Sequence, residues 1–158
     1  MNSLVIYATH YGNTRAIAEA IADGLRVAGP VTLLQAKEAP ATLPPGTDLV
    51  VIGAPTEVHR MAPPAAEFFT QMAPGVLQGV RAAAFDTRLQ WNRWLSGSAA
   101  IGIARKLQRR GAHLVADPES FFVEGSPAVL LPGEVARARA WGATLAKQLA
   151  AQAPAAAR

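Results

Sequence analysis

Apolar runs and helix-like repeats alternate along the chain, which predicts alternating strands and helices. Residues 5–8 are entirely apolar and predict a buried strand. The polar stretch THYGNT follows it. Beyond this stretch, apolar residues recur at spacings of three and four, which is one face of a helix: Ala16, Ile17, Ala20, Ile21, Gly24 and Leu25. The chain therefore begins with a strand, a polar loop and a helix.

The same alternation continues to the C-terminal region. Apolar runs predict further strands at 31–36, 48–53 and 80–86, and a fifth strand across AHLVA and SFFVEG that is interrupted near Asp117 and Pro118. Helical patterns cover 63–72, the stretch SGSAAIGIARKLQRRG with a serine cap and a closing glycine, and 134–149. This pattern predicts an α/β fold with a doubly wound, five-stranded parallel sheet in the order 2-1-3-4-5 and helices on both faces.

In this strand order, ligands bind beyond the carboxyl ends of the first and third strands. The loops THYGNT, APTEVHRM and DTRLQWNRW follow strands one, three and four, so they converge at that place. A helix that begins in THYGNT points its unpaired N–H groups and the positive end of its dipole at the loop, and Thr9 and Thr14 add hydroxyl groups. The first loop therefore predicts an anion site, most simply for phosphate.

Length and composition narrow the class of protein. At 158 residues the chain suits one domain, which we assign to residues 1–150, with a frayed tail at 151–158. It has no apolar run of about 18 residues and no signal-peptide pattern, so we expect a cytoplasmic protein without a membrane partner. The absence of cysteine excludes thiol nucleophiles, so redox chemistry requires a bound cofactor. No catalytic residue stands out, and the isolated histidines do not predict a metal site.

The net charge of +4 and the pI near 10.1 raise the question of nucleic-acid binding. The basic residues are scattered, however, and the densest cluster lies at the end of a predicted helix: Arg105, Lys106, Arg109 and Arg110. Cations there interact favourably with the negative end of the helix dipole. We therefore predict no nucleic-acid partner.

The first loop resembles the N-terminal signature of the flavodoxin family. In VIYATHYGNTRAIAEAI, Tyr7 precedes Thr9, and Gly12, Thr14, Ala18 and Ile21 follow at the family's spacing. The resemblance implies an FMN phosphate site made by the threonine hydroxyls and by the backbone of His10, Tyr11, Gly12, Asn13 and Thr14. A response regulator, the alternative doubly wound domain, would have acidic residues where this chain has THYG and APT.

The second loop, GAPTEVHRM, is similar to the family pattern only in part. Pro55 and Thr56 match a Pro-Thr pair that precedes an aromatic residue over one face of the flavin. That aromatic is missing here, and its region is occupied by Glu57, Val58, His59, Arg60 and Met61. Contact from His59, Met61 or an aliphatic side chain is the expected replacement, and an exposed loop position is the alternative for His59.

The third loop departs further from the family. Asp86, Thr87 and Arg88 stand where flavodoxins often have a glycine-rich turn, and Trp91 and Trp94 follow. A tryptophan ring offers a large stacking area for the flavin. The alternative is that these two side chains pack the loop against a helix.

The resemblance implies an FMN-binding electron carrier that works between a reductase and an acceptor protein. Two alternatives stay open. One is a flavin-dependent oxidoreductase acting on a quinone or a protoporphyrinogen, since THYGNT also resembles the flavodoxin-type protoporphyrinogen oxidases. The other is a flavin-free binding module, since the second loop lacks its aromatic.

The three loops contain few carboxylates and many basic residues. The basic residues in or beside them are His10, Arg15, His59, Arg60, Arg88 and Arg93. Their charge predicts a less negative flavin potential than in acidic flavodoxins and docking to an acidic partner surface.

Overall fold

The computed structural model describes residues 1–57 and 60–152. The strands are β1 (Asn2–Tyr7), β2 (Val31–Gln35), β3 (Thr47–Glu57), β4 (Arg60–Met61), β5 (Arg81–Leu89), β6 (His113–Leu114), β7 (Glu119–Glu124) and β8 (Val129–Leu130). The helices are α1 (Asn13–Leu25), α2 (Pro63–Gln71), α3 (Arg93–Ser96), α4 (Ala99–Arg109) and α5 (Glu134–Gln152). Two short 3-10 turns lie at Arg26–Ala28 and Ala36–Glu38.

The strands form one sheet in the order β2-β1-β3-β5-β7-β8, in which β1, β2, β3, β5 and β7 are parallel. The predicted order 2-1-3-4-5 is confirmed for these five, with β6 as the first piece of the interrupted fifth strand. Two short antiparallel strands are additional: β4 pairs with β3, and β8 pairs with β7. Each is only two residues long, which is too short for an apolar period to reveal it.

The continuous apolar runs of the central strands are explained by helices on both faces of the sheet. On one face, Leu4, Ile6, Val50 and Ile52 pack with residues of α2 and α4. On the other face, their neighbours along the strands pack against α1 and α5: Val5, Tyr7, Leu49 and Val51. Alternate residues of one strand thus serve two separate core layers.

Helices α1 and α5 pack backbone to backbone at two glycines. A Cβ atom added at Gly24 would lie 2.1 Å from the carbonyl oxygen of Arg139, and one added at Gly142 would lie 2.3 Å from that of Ile21. Real Cβ atoms do not approach other atoms so closely. The absence of a side chain at both positions therefore sets the spacing of the two helices.

Helix α4 begins and ends as predicted. The Ser98 hydroxyl accepts a hydrogen bond from the N–H of Ile101 (3.4 Å), and Gly111 follows the helix at a φ of +85°. Lys106 and Arg109 lie in the last turn. Arg110 donates to the carbonyl oxygen of Phe69 in α2 (2.7 Å), so part of the basic cluster ties two helices together.

Two strands extend further than the apolar pattern predicted. β3 continues to Glu57 because Thr56 and Glu57 pair with Met61 and Arg60 of β4, so the two ends of the second loop are antiparallel strands. β5 continues to Leu89 because its last residues pair with β7. Backbone ladders continue these strands where their side chains become polar.

The C-terminal helix α5 runs to Gln152, and the remaining residues of the predicted tail, 153–158, lie outside the described residues. Nothing in the described part of the chain tests the boundary placed at residue 150. No described helix combines the length and the apolar character needed to cross a bilayer.

Candidate functional site

The loop between β1 and α1 turns sharply at Gly12, which has a φ of +89°. Only glycine adopts this left-handed region without strain. The N–H of Gly12 donates to the Thr9 hydroxyl oxygen (3.0 Å), and the carbonyl of Gly12 accepts from Ala16 (3.0 Å). The N–H groups of residues 13–15 have no acceptor within the helix, and no side chain caps it. The start of α1 therefore offers free donors to an anion.

Thr14, predicted as a phosphate ligand, is buried and pairs with a residue of the third loop region. Its Oγ1 lies 2.7 Å from Oγ1 of Thr87 in β5. One of the two hydroxyls donates its hydrogen in this bond and the other accepts it. The hydroxyl that accepts can donate its own hydrogen to a third group, such as a ligand. The pair links the first loop to β5, which no local pattern in the sequence indicates.

The three loops enclose a cavity of about 210 Å³ at the carboxyl ends of β1, β3 and β5. The structure brings together most of the predicted site residues in its wall: Thr9, His10, Tyr11, Asn13, Thr14, Pro55, Thr56, Glu57, Thr87 and Arg88. A larger cavity of about 600 Å³ lies at the opposite end of the sheet and holds none of the predicted site residues. We assign the site to the smaller cavity because doubly wound sheets bind ligands at the carboxyl ends of their strands.

One wall of the cavity was missed by sequence reasoning. Leu89, Val123, Gly125 and Ala128 line it; Val123 belongs to β7, and Gly125 and Ala128 belong to the turn between β7 and β8. The side-chain amide of Asn13 donates to the carbonyl oxygen of Ala128 (2.8 Å) across 115 positions of sequence. The Gly-Ser-Pro stretch at 125–127 signals a turn, but nothing local places this turn beside the first loop.

His10 and Glu57 connect the first loop to the end of β3. Their Nδ1 and Oε1 atoms are 2.9 Å apart, and their side chains are 57% and 33% exposed. The ring centroids of His10 and Tyr11 are 5.6 Å apart, and Tyr11 is largely exposed. The pair places an imidazole and a carboxylate in contact on the cavity wall.

Asp86 is fully buried beneath the loops and does not line the cavity. Its Oδ2 accepts hydrogen bonds from the hydroxyls of Thr56 (3.1 Å) and Ser98 (2.7 Å) and from the N–H of Ala100 (3.0 Å). Its Oδ1 is buried and has no partner among the described residues. Asp86 therefore ties β3 to the start of α4.

Arg88 lines the cavity, and its side chain is buried in the third loop region. The guanidinium donates to the Ser120 hydroxyl (3.0 Å), the Trp91 carbonyl (2.8 Å) and the Ser96 hydroxyl (3.1 Å). It also lies 5.1 Å from the centroid of the Phe122 ring. Arg88 thus holds the segment after β5 and places a fixed positive charge at the cavity.

Trp91 and Trp94 are 61% and 80% exposed, so the alternative in which they pack the loop against a helix is wrong. Neither lines the cavity. In the second loop, Met61 packs towards α4: a Cβ atom at Gly102 would lie 3.2 Å from its methyl group. Val58 and His59 lie outside the described residues.

An ion-pair network supports the β7 wall from behind. Burial by itself raises the pKa of Glu134, but hydrogen bonds from Arg137 and from the N–H of Phe122 (2.7 Å each) lower that pKa below its ordinary value. The pKa of Arg137 is raised, chiefly by its bond to Glu134. Arg137 also donates to Glu119 (2.8 Å), so the network joins α5 to β7.

The cavity offers backbone N–H groups, hydroxyls and a guanidinium, with Glu57 as the carboxylate among its described lining residues. Such a donor set fits an anionic ligand that carries hydroxyl groups. Within residues 1–57 and 60–152, no group of histidine and carboxylate side chains is arranged to hold a metal ion.

Comparison with known proteins identifies related sequences and folds. The family profile described as flavodoxin domain matches residues 4–91. No curated protein sequence matches the chain significantly. A flavodoxin from an archaeon is similar at 22% identity with a TM-score of 0.78, covering 95% of this chain and 99% of that one.

Two further solved structures share the fold. Oxidised flavodoxin 1 from Bacillus cereus is 20% identical with a TM-score of 0.75, covering 93% of this chain and 98% of that one. Rubredoxin:oxygen oxidoreductase from Desulfovibrio gigas is 18% identical with a TM-score of 0.74, covering 98% of this chain and 37% of that one. At these identities the structures show a shared fold.

Proposed function

This chain belongs to the flavodoxin domain family, and from that premise we propose that it binds FMN non-covalently and carries electrons between a reductase and an acceptor protein. The observation that carries the proposal is the turn at Gly12, which leaves the first N–H groups of α1 free beside a cavity with hydroxyl-bearing walls. The charge of a phosphate is stabilised there by the helix dipole and by direct hydrogen bonds.

Each part of the cavity has a distinct task in this proposal. Thr9, Thr14 and the backbone of His10, Tyr11, Gly12 and Asn13 hold the phosphate. Pro55, Thr56, Glu57, Thr87 and Arg88 bind the remainder of the ligand. When bound, FMN supplies one- and two-electron redox chemistry, while the protein positions it and sets its electrostatic surroundings.

The third loop provides the proposed aromatic contact. Trp91 and Trp94 are exposed next to the segment that Arg88 holds in place, so their ring faces are free to cover an apolar ring. A flavin stacked on one of them buries that side chain and quenches the flavin fluorescence. This contact replaces the aromatic that the second loop lacks.

The proposal is tested by removing the hydroxyls of the first loop. Thr9→Val together with Thr14→Val removes two donors to a charged group, each contributing roughly 1.5–3 kcal/mol. The Kd for FMN, measured by fluorescence titration, is expected to rise by about 10²- to 10⁴-fold. Riboflavin, which lacks the phosphate, is expected to bind the variant and the wild type alike.

The matched control is Thr70→Val, because the Thr70 hydroxyl donates to a backbone carbonyl within α2 and is remote from the cavity. An unchanged Kd for FMN in the double variant contradicts the phosphate assignment. A wild-type protein that binds no FMN in the same titration is instead the flavin-free binding module.

We also propose that the redox partners present acidic surfaces and that the protein acts in the cytoplasm. The support for acidic partner surfaces is electrostatic: the net charge is +4, and Arg105 and Arg109 on α4 are exposed. Basic surfaces steer acidic partners during diffusional encounter.

A second candidate function, direct reduction of a quinone, is favoured by a further cavity of about 330 Å³ beside the one assigned to the ligand. It shares Leu89, Val123 and Gly125 with the first cavity, and its other lining residues are Gln90, Trp91, Glu124 and Leu131. A small planar acceptor fits a cavity in which an indole and aliphatic side chains offer contact area and a few polar groups orient the ligand. Sustained turnover of a soluble quinone by the FMN-loaded protein, without an acceptor protein, distinguishes this function from that of a carrier.

A further inference from the structure

We propose that Thr87 in β5 sets the preference of the site for a phosphorylated flavin, because it fixes the Thr14 hydroxyl in the orientation that donates to the phosphate. The proposal rests on the proposed function, since it requires FMN in the cavity beside α1. It adds a positioning role at the phosphate to the contact of Thr87 with the remainder of the ligand.

Thr14 and Thr87 form a buried pair of hydroxyls in the cavity wall. The two residues are 1% and 4% exposed, their Oγ1 atoms are 2.7 Å apart, and both line the cavity. The pair carries two hydroxyl hydrogens, and the hydrogen bond between them uses one. Within residues 1–57 and 60–152, neither hydroxyl makes a second hydrogen bond. One hydroxyl hydrogen of the pair is therefore left for a ligand.

This remaining hydrogen favours an acceptor atom on the cavity side. Burying a hydroxyl donor without an acceptor is unfavourable, so an oxygen bound in the cavity stabilises the pair. The Thr56 hydroxyl in the same wall differs, because it donates to Asp86 and accepts from the N–H of Ala99. Its hydrogen is already used within the protein.

The place of each residue decides which hydroxyl donates to the ligand. Thr14 is the second residue of α1, where the N–H groups of residues 13–15 have no acceptor within the helix. A phosphate held by these groups lies beside Thr14, so Thr14 donates to the phosphate and accepts from Thr87. A hydroxyl that accepts one hydrogen bond donates the next one more strongly. Thr87 therefore acts on the phosphate through Thr14.

Thr87 is a rigid support for this arrangement because β5 lies inside the sheet. Its neighbours in register are Pro55 of β3 and Phe121 of β7. The side chain of threonine is branched at Cβ, which restricts its χ1 angle. The strand thus fixes the direction from which Thr14 accepts a hydrogen bond and leaves the Thr14 hydrogen facing the cavity.

The experiment compares the Kd of FMN with that of riboflavin, which lacks the phosphate, by fluorescence titration of the apoprotein. Contacts with the remainder of the ligand affect both Kd values, so their ratio reports on the phosphate. The variants are Thr87→Val, Thr87→Ser, Thr14→Val and the double variant Thr14→Val with Thr87→Val. The matched control is Thr144→Val, because the Thr144 hydroxyl donates to the carbonyl oxygen of Ala140 within α5 and does not line the cavity.

Thr87→Val is expected to lower the preference for FMN over riboflavin by about 3- to 10-fold, the range of one hydrogen bond between neutral groups. Thr87→Ser, which keeps the hydroxyl, and the control are expected to keep the wild-type preference. In a protein that already carries Thr14→Val, Thr87→Val is expected to cause no further loss, because its effect passes through Thr14.

Three outcomes overturn the role of Thr87. These are a wild-type preference in Thr87→Val, an equal loss in Thr87→Ser and Thr87→Val, and an equal loss on Thr87→Val with and without the Thr14 hydroxyl. A purely structural tie between α1 and β5 would weaken the binding of FMN and riboflavin alike and leave their ratio unchanged. Urea denaturation of each apoprotein checks the fold, and if Thr87→Val does not fold, Thr87→Ala replaces it in the comparison with Thr87→Ser.

The wild-type titration separates this proposal from the one on which it rests. A wild type that binds FMN no more tightly than riboflavin, or not at all, overturns the phosphate site of the proposed function, and with it the role of Thr87. A wild type that prefers FMN, together with a Thr87→Val variant of equal preference, overturns the role of Thr87 alone.

Discussion

At the scale of single residues, Asp86 has a role that its position in the sequence did not indicate. The strand predicted at 80–86 ends at Asp86, and the sequence predicts that this carboxylate lies beside the cofactor. The structure buries this carboxylate, and one of its oxygens accepts hydrogen bonds from β3 and from the start of α4. Thr56 in turn accepts from the N–H of Ala99 (2.8 Å) and lines the cavity. Asp86 is therefore a positioning residue for the cavity wall.

Replacing Asp86 by alanine is expected to lower both stability and FMN affinity. Buried donors that lose their acceptor cost roughly 1–3 kcal/mol each. Asp86→Asn keeps one oxygen as an acceptor, so it is expected to lose less. Urea denaturation of the apoprotein and FMN titration measure the two effects, and an Asp86→Ala protein with the wild-type urea midpoint contradicts this role.

At the scale of elements, the spacing of α1 and α5 depends on two glycines at their contact, because glycine has no side chain. Gly24 and Gly142 each face a backbone carbonyl of the opposite helix. Since α1 begins at the first loop, a shift of this helix also moves the Asn13 and Thr14 groups that line the cavity. Helix packing on one face of the sheet is thereby coupled to the site.

Gly142→Ala is expected to destabilise the protein by roughly 1–3 kcal/mol, because overpacking forces the helices apart. The matched control is Gly102→Ala in α4, where the added methyl meets only the flexible end of Met61 at 3.2 Å. The control is expected to be neutral or stabilising, by up to about 1 kcal/mol, because alanine has the higher helix propensity. Chemical denaturation of both variants tests the pair, and equal effects contradict the packing argument.

The network around Glu134 joins α5 to β7 and predicts a pH dependence. Because the pKa of Glu134 is lower in the folded protein than its ordinary value of 4.5, the stabilisation is complete well above pH 4.5. It is lost as the pH falls through the folded-state pKa. The difference in unfolding free energy between the wild type and Glu134→Gln is therefore expected to be constant near neutral pH and to shrink in acid. A difference that grows below pH 4.5 contradicts the lowered pKa.

At the scale of the whole molecule, the excess of basic residues acts over distance. Arg105 and Arg109 are exposed on α4, about 9 Å and about 15 Å along the helix from Ala99. Arg109 therefore lies beyond the screening length of about 8–10 Å at moderate salt, and Arg105 lies close to it. These charges are therefore placed to affect encounter with partners and not the potential of a flavin at the other end of the helix.

Arg105→Glu together with Arg109→Glu changes the charge by −4, from +4 to zero. Oxidation of the FMN-loaded wild type by anionic ferricyanide is expected to slow as ionic strength rises. The double variant is net negative once the FMN phosphate is bound, so it is expected to show the opposite dependence. The flavin potential is expected to stay unchanged. The control, Arg105→Lys with Arg109→Lys, keeps the charge and is expected to behave as the wild type. An equal salt dependence of the oxidation rate in all three proteins contradicts long-range steering.

The features determined by the sequence itself are local ones. The alternation of strands and helices, the turn at Gly12 and the serine cap of α4 each depend on a few neighbouring residues, so periodicity and residue chemistry were sufficient to predict them. The order of the five long strands followed because chain connections are right-handed and short.

Tertiary structure alone decided which side chains meet. The contacts of Thr14 with Thr87 and of Asn13 with Ala128 join residues 73 and 115 positions apart. The burial of Asp86 and the two short strands likewise depend on pairing between distant segments. Such contacts are selected by the packing of the whole chain, because a hydroxyl, an amide or a carboxylate bonds to whichever complementary group the fold brings within reach.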